Sequence, residues 1–139
     1  MTENGGRYRF GFAASAAAGL AFFAFPVLAA IDFHDYDNDL MRDLDKTIKY
    51  LEPDLTAKNA DGAKEDIAVL LEGFRYTESY FNKKGASDAV EISRRGVSLL
   101  DAVVKNIEQN NFDAAAEVAR DAPNLCKSCH DIYKPRLAR

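Results

Sequence analysis

The stretch AKEDIAVLLEGFRYTESYFN, residues 63–82, decides the fold class of this chain. Its apolar residues recur at helical spacing, with Ile67, Leu70, Phe74 and Phe81 along one side and charged residues between them. This pattern predicts a long amphipathic helix. Such a helix is stable when its apolar side packs against other helices.

The same spacing recurs on both sides of this segment. Residues 39–51 and about 87–109 carry apolar side chains at helical intervals, and a last helical stretch runs from residue 112 or 113 toward 133. Pro53 interrupts the pattern after the first helix, and Pro123 is expected to kink or restart the last one. Four such helices joined by short turns predict an all-α antiparallel four-helix bundle.

The first thirty residues differ in kind from the rest of the chain. Arg7 and Arg9 precede residues 10–30, which contain no charged residue and end in the small-residue sequence FPVLAA. A basic start, an apolar run and a small-residue end predict a secretory signal peptide over residues 1–30, with residues 31–139 as the exported domain. The alternative is an uncleaved membrane anchor, because residues 10–30 are just long enough to span a bilayer.

The charge balance excludes one class of partner. The chain has 18 Lys and Arg residues against 22 Asp and Glu residues, a formal net charge of −4. Affinity for phosphate backbones comes mainly from Lys and Arg, so we expect no nucleic-acid partner. An acidic domain can instead be steered toward a basic surface on another protein.

Both cysteines of the chain lie in one short segment, NLCKSCHDIYK, residues 124–134. Three chemistries use a CxxC pair. A thiol–disulfide redox pair usually follows a strand in an α/β domain, and no strand pattern is visible here. Structural zinc needs four ligands, and the candidates are Cys126, Cys129, His130 and the distant His34. The third chemistry is covalent attachment of haem, whose signature is CxxCH.

The spacing of the motif favours haem c. On a helix, residues 126, 129 and 130 are at i, i+3 and i+4 and point to one face. Cys126 and Cys129 can then add to the two vinyl groups of one haem while His130 meets the iron. Haem c is attached outside the cytoplasm in bacteria, which agrees with the export signal. The sequence therefore predicts one covalent haem near the C-terminal helix, with His130 as the proximal iron ligand.

A second axial ligand must come from earlier in the chain. The residues after His130 include no methionine, and Met1 belongs to the signal segment, so Met41 is the remaining thioether. It lies on the apolar side of the first helix and is the expected distal ligand. Two alternatives stay open: Met41 shields the iron without binding it, or His34 is the ligand.

These motifs resemble class II cytochrome c, the family of the cytochromes c-prime and their low-spin relatives. The likeness lies in a CxxCH motif close to the C-terminus followed by an aromatic and a basic residue, CHDIYK, residues 129–134. The segment DNDLMRDLDKTIKYLE, residues 37–52, is similar to the first helix of low-spin members, in which a methionine binds the iron. The resemblance implies the same role for Met41. It also implies a contact between Lys134 and a haem propionate, for which a solvated helix-terminal cation is the alternative, and a homodimer.

The expected function is that of a periplasmic carrier of single electrons, and not of an enzyme. Ligation by His130 and Met41 would give a low-spin haem that exchanges electrons with periplasmic or membrane redox proteins. If Met41 is not bound, the alternative is a high-spin cytochrome c-prime that binds nitric oxide or carbon monoxide. Five apolar residues could wall the haem, although core packing explains them equally well: Leu44, Phe74, Tyr80, Phe81 and Leu125.

Overall fold

A computed structural model describes Phe33 and residues 35–137, with side chains up to residue 134. The predicted signal segment and His34 lie outside the described residues. Every regular element in the described part of the chain is an α-helix. In chain order the helices are α1 (Asn38–Thr56), α2 (Ala60–Lys83), α3 (Ser87–Glu108), α4 (Phe112–Ala119) and α5 (Ala122–Leu137). The all-α prediction is thus confirmed, and the architecture is compatible with a helical bundle.

The first helix is longer than its apolar pattern indicates. It begins after Asp37, whose carboxylate accepts hydrogen bonds from the backbone N–H groups of Asp39 and Leu40 at 2.9 and 3.0 Å. The predicted break at Pro53 is wrong, because α1 continues through this proline to Thr56. Leu55 lies one helical turn after Leu51 and is equally buried, and its burial explains the extra turn.

The predicted last helix is divided in two, as Pro123 suggested. Helix α4 ends at Ala119, and α5 starts at Ala122, so Pro123 lies in the first turn of α5. Proline is tolerated there because the first N–H groups of a helix have no intrahelical partner. After the restart both helices pack on α3, but only α4 also packs closely on α1.

The larger core cluster, which we call the closed end, joins α1, α2, α3 and α4. Leu51, Leu70, Leu100 and Val103 are at most 2% exposed within it. Helix α4 contributes mostly alanines, and its small side chains let its backbone approach α3 and α1, the two helices on which it packs.

The remaining helix packs differently. Helix α5 packs against α3, and α1 packs against α2 and α4, but α1 and α5 are not one of the closely packed pairs. A second cluster, the aromatic cluster, lies beside α5 and consists of buried residues from four parts of the chain. Its members are Phe33, Tyr36, Tyr80, Phe81, Ala86, Ala89, Val90, Cys129 and Tyr133.

None of the helices described by the structure is both long enough and apolar enough to cross a membrane. Residues 10–30, on which the anchor alternative depends, lie outside the described residues.

Candidate functional site

A cavity of about 740 Å³ lies between α1 and α5, with α2 and α3 forming its floor. Its volume is within the range of about 300–1,000 Å³ that small-molecule and cofactor sites occupy. We call this region, together with the aromatic cluster, the open end. Each helix presents one face to the cavity, since its lining residues follow helical spacing. The lining residues are Met41, Leu44, Asp45 and Ile48 of α1, Leu70, Gly73, Phe74 and Thr77 of α2, Ile92 and Ser93 of α3, and Pro123, Leu125, Cys126, Lys127, Cys129, His130, Asp131 and Lys134 of α5.

All five site residues expected from the sequence line this one cavity. Cys126, Cys129, His130 and Lys134 come from α5, whereas Met41 comes from α1 across the cavity. Met41 and His130 are both partly buried, and Lys134 is exposed at the rim. Residues more than eighty positions apart in the sequence therefore line the same cavity.

Two adjacent stripes along α5 explain how the motif faces the cavity. Leu125, Cys129 and Tyr133 follow each other at intervals of four and are all buried. This stripe fixes the helix against α3, where the Tyr133 hydroxyl donates a hydrogen bond to the carboxylate of Asp88. The neighbouring stripe, which includes Cys126 and His130, is consequently turned toward the cavity.

Burial makes both thiols poor acids. Desolvation raises the pKa of Cys126, and it raises the pKa of Cys129 to about 11, with the negative charge of Asp88 adding to the effect. Redox-active CxxC pairs depend on a lowered cysteine pKa, because the thiolate is the reacting species. The raised values disfavour the thiol–disulfide alternative.

His130 is held in the neutral form that can bind a metal. Desolvation lowers its pKa, and the positive charge of Lys134 lowers it further, while Asp45 and Asp131 act in the opposite direction. At pH 7 the imidazole is therefore unprotonated and its nitrogen lone pair is available.

Charged groups are confined to the rim of the cavity. Asp45 pairs with Lys49 at 2.7 Å, and Lys127 pairs with Asp131 at 2.5 Å. Both pairs join residues four apart on the exposed surface of one helix. The rim therefore offers both signs of charge, whereas the interior is mostly apolar.

Two buried hydroxyl groups in the wall are already hydrogen-bonded. Thr77 donates to the Gly73 carbonyl at 2.8 Å, so the Tyr36 hydroxyl must be the donor in its 2.7 Å contact with Thr77. Ser93 donates to the Ala89 carbonyl at 2.8 Å. Both protons are committed to backbone carbonyls, so neither hydroxyl has a proton left to donate to a ligand, although each oxygen can still accept a hydrogen bond.

The sequence-based list of wall residues is partly right. Leu44, Phe74 and Leu125 line the cavity, but Tyr80 and Phe81 belong to the aromatic cluster instead. Sequence reasoning missed several lining residues, among them Asp45 and Gly73. Helical spacing from Met41 and Leu70 could have found both, because Asp45 is four residues after the first and Gly73 three after the second.

Within Phe33 and residues 35–137, no group of three or more His, Cys, Asp or Glu side chains is arranged to hold a metal ion. Comparisons of the chain with models of protein families, with curated proteins and with solved structures found no match.

Proposed function

We propose that this chain is a periplasmic monohaem c-type cytochrome that carries single electrons. The observation that supports it best is the cavity itself, which has Met41 on one side and Cys126, Cys129 and His130 on the other. Two thiols can attach a haem covalently, and an imidazole with a thioether can ligate its iron from both sides. Apolar walls and a charged rim suit a macrocycle whose two carboxylates are at one edge.

Helix α5 would hold the haem. Each S–H of Cys126 and Cys129 would add across one vinyl C=C bond, with sulfur joining one carbon and the proton the other, so that nothing would be released and no oxidant would be needed. Burial of both thiols keeps them protonated until they react. His130, neutral at pH 7, is the proximal ligand, and Lys134 at the rim is available to a propionate.

Helix α1 would supply the distal ligand. Met41 is a neutral thioether, and such a ligand favours the ferrous state and raises the reduction potential. The haem, when bound, supplies an iron that accepts and returns one electron. His130 of α5 and Met41 of α1 would hold that iron from two helices, which would limit the rearrangement that accompanies the change of charge.

The same proposal includes the arrangement of the helices and the partners of the protein. The helices form an antiparallel four-helix bundle, with the haem beside the C-terminal helix. The protein exchanges electrons with periplasmic or membrane redox proteins and is a carrier, not an enzyme. Its resemblance to class II cytochrome c, carried by CHDIYK and by the segment around Met41, supports this assignment.

The test is expression in a host that can attach haem c. We expect haem absorption bands that remain with the polypeptide after acid-acetone extraction, and loss of those bands in the variant Cys126→Ala/Cys129→Ala. A colourless product with two alkylatable thiols would contradict the proposal.

The role of Met41 is tested separately. We expect a near-infrared thioether-to-iron band in the oxidised protein, its loss in Met41→Leu, and a fall in potential on the order of 100 mV, a fraction of the roughly 0.8 V that axial ligands span. Leu44→Met in the Met41→Leu background controls for position on the helix. A high-spin spectrum of the unaltered protein, with rapid carbon monoxide binding after reduction, would instead support the cytochrome c-prime alternative.

A further inference from the structure

Two glycines beside the cavity accommodate bulky neighbours. A methyl group built on Gly96 of α3 would lie 2.6 Å from Cζ of Phe74 and closer still to other ring atoms. One built on Gly73 of α2 would lie 2.9 Å from Cγ of Leu44. Both distances are well inside van der Waals contact, so the Phe74 ring and the Leu44 side chain occupy space that only glycine leaves.

These neighbours are themselves part of the cavity wall. Phe74 and Leu44 both line the cavity and also pack against the closed end. Leu44 of α1 fits against Gly73 of α2, and Phe74 of α2 fits against Gly96 of α3. The width of the cavity between these helices thus depends on how deeply the two side chains are seated.

We infer that Gly96 and Gly73 are specificity-determining residues of the cavity, which reserve the space of a planar macrocycle by keeping Phe74 and Leu44 out of it. This inference rests on the proposed haem site. Gly96 does not line the cavity and acts through the Phe74 ring seated on it. Gly73 lines the cavity and acts mainly through the Leu44 side chain seated on it.

The direction in which Phe74 would move follows from its surroundings. On one side lies the core cluster, whose members Leu100 and Val103 are fully buried, and displacing them would disrupt close packing. On the other side lies the cavity, where a displaced ring meets no packed atoms. An added methyl group at Gly96 therefore turns the ring into the cavity.

The test is Gly96→Ala in the full chain, expressed in a host competent for haem c attachment. We expect the haem-to-polypeptide ratio to fall about tenfold, the scale of an overpacking penalty at a filled site. We expect the melting temperature of the haem-free fraction to stay the same or rise, because the ring fills empty space and alanine favours the helix. A merely structural glycine would lower haem content and haem-free stability together.

Two further variants sharpen the result. Gly96→Ala/Phe74→Leu removes the displaced ring and should restore haem content to near that of the unaltered chain. Ser98→Ala, at an exposed position of the same helix, raises helix propensity without adding bulk at the cavity and should leave haem content unchanged.

The outcomes separate this inference from the proposed function. The inference is overturned if the unaltered chain carries haem and Gly96→Ala carries as much. It is also overturned if adding Phe74→Leu fails to restore the haem content that Gly96→Ala has lost. In both cases the cytochrome assignment stands. If the unaltered chain itself is colourless, the proposed function fails and the inference falls with it.

Discussion

The closed end and the open end of the bundle share α1, α2 and α3 but differ in the fourth helix and in how tightly it packs. At the closed end, α4 brings Ala115, Ala116 and Ala119 against α1 and α3, and small side chains allow close contact. At the open end, α5 packs most closely on α3, its Tyr133 ring also contacts Phe81 of α2, and a cavity remains between α5 and α1. The break before Pro123 produces the difference, because it frees α5 from the direction set by α4. The same helices thus border a filled core at one end and a cavity at the other.

The largest difference between the two ends should appear in core truncations. Leu100→Ala removes a side chain that is fully buried at the closed end, so we expect a loss of about 3 kcal/mol in the free energy of unfolding. Leu44→Ala removes one that already borders the cavity and is partly exposed, so the loss should be about 1 kcal/mol. Urea unfolding of the haem-free chain measures both. Equal losses would mean that the open end is as well packed as the closed end.

Thiol reactivity tests how well the open end excludes water. A pKa of about 11 for Cys129 leaves roughly a hundredfold less thiolate at pH 7.5 than a cysteine with the ordinary pKa of 9.0 has. We expect iodoacetamide to label Cys129 of the folded haem-free chain about a hundredfold more slowly than the urea-unfolded chain. Cys126, which is less buried, should be labelled first. Rapid and equal labelling of both would argue that α5 is not held against α3.

The anchor of α5 should have an intermediate effect. Tyr133→Phe keeps the buried ring but removes the hydroxyl that donates to Asp88, so we expect a loss of about 1 kcal/mol in stability. If the chain carries the proposed haem, the same variant should alter the spectroscopic signature of the proposed His130 ligand, because the hydrogen bond that orients α5 on α3 is lost. Tyr50→Phe, at a side chain that is 64% exposed, is the matched control and should change neither quantity.

The smallest effect concerns a carboxylate next to the closed end. One oxygen of Asp66, Oδ2, is buried and accepts no hydrogen bond in the described structure. Desolvation raises the pKa of Asp66, and the negative charges of Asp54 and Glu65 raise it further. A raised carboxyl pKa means that the folded state binds the proton more tightly, so stability decreases as the pH rises through the folded pKa. We therefore expect Asp66→Asn to raise the melting temperature at pH 7 by roughly 2 °C, a small shift because the group is largely solvent-screened. The gain should disappear below the unfolded pKa of about 3.9; a gain that persists at pH 3 would contradict this account.

Much of the fold was predictable because helices are encoded locally. The apolar spacing of residues 63–82 gave α2 almost to its ends, and Pro123 marked the restart of α5. Pro53 misled the prediction, since a proline in the last turn removes a single hydrogen bond and the burial of Leu55 outweighs that loss. Single residues such as Pro53 indicate only a local preference to end a helix, and burial against other helices can outweigh that preference.

The candidate site, like the fold, was predictable only in part. That Cys126 and His130 share a helix face follows from their spacing alone, because the period of an α-helix places residues four apart side by side. Whether Met41 meets that face could not be read from spacing, since it depends on how α1 and α5 are set relative to each other. The same holds for Asp45, Gly73 and Gly96, whose roles arise from neighbours on other helices.

By itself, then, the sequence determined the helices and the side of α5 on which two thiols and an imidazole stand, because hydrogen bonding and side-chain direction within a helix repeat over a few residues. Only the tertiary structure decided that α4 closes one end, that a cavity remains between α1 and α5, and that Met41 borders it. Those features depend on the volumes of side chains that are far apart in the chain and meet only when the helices pack.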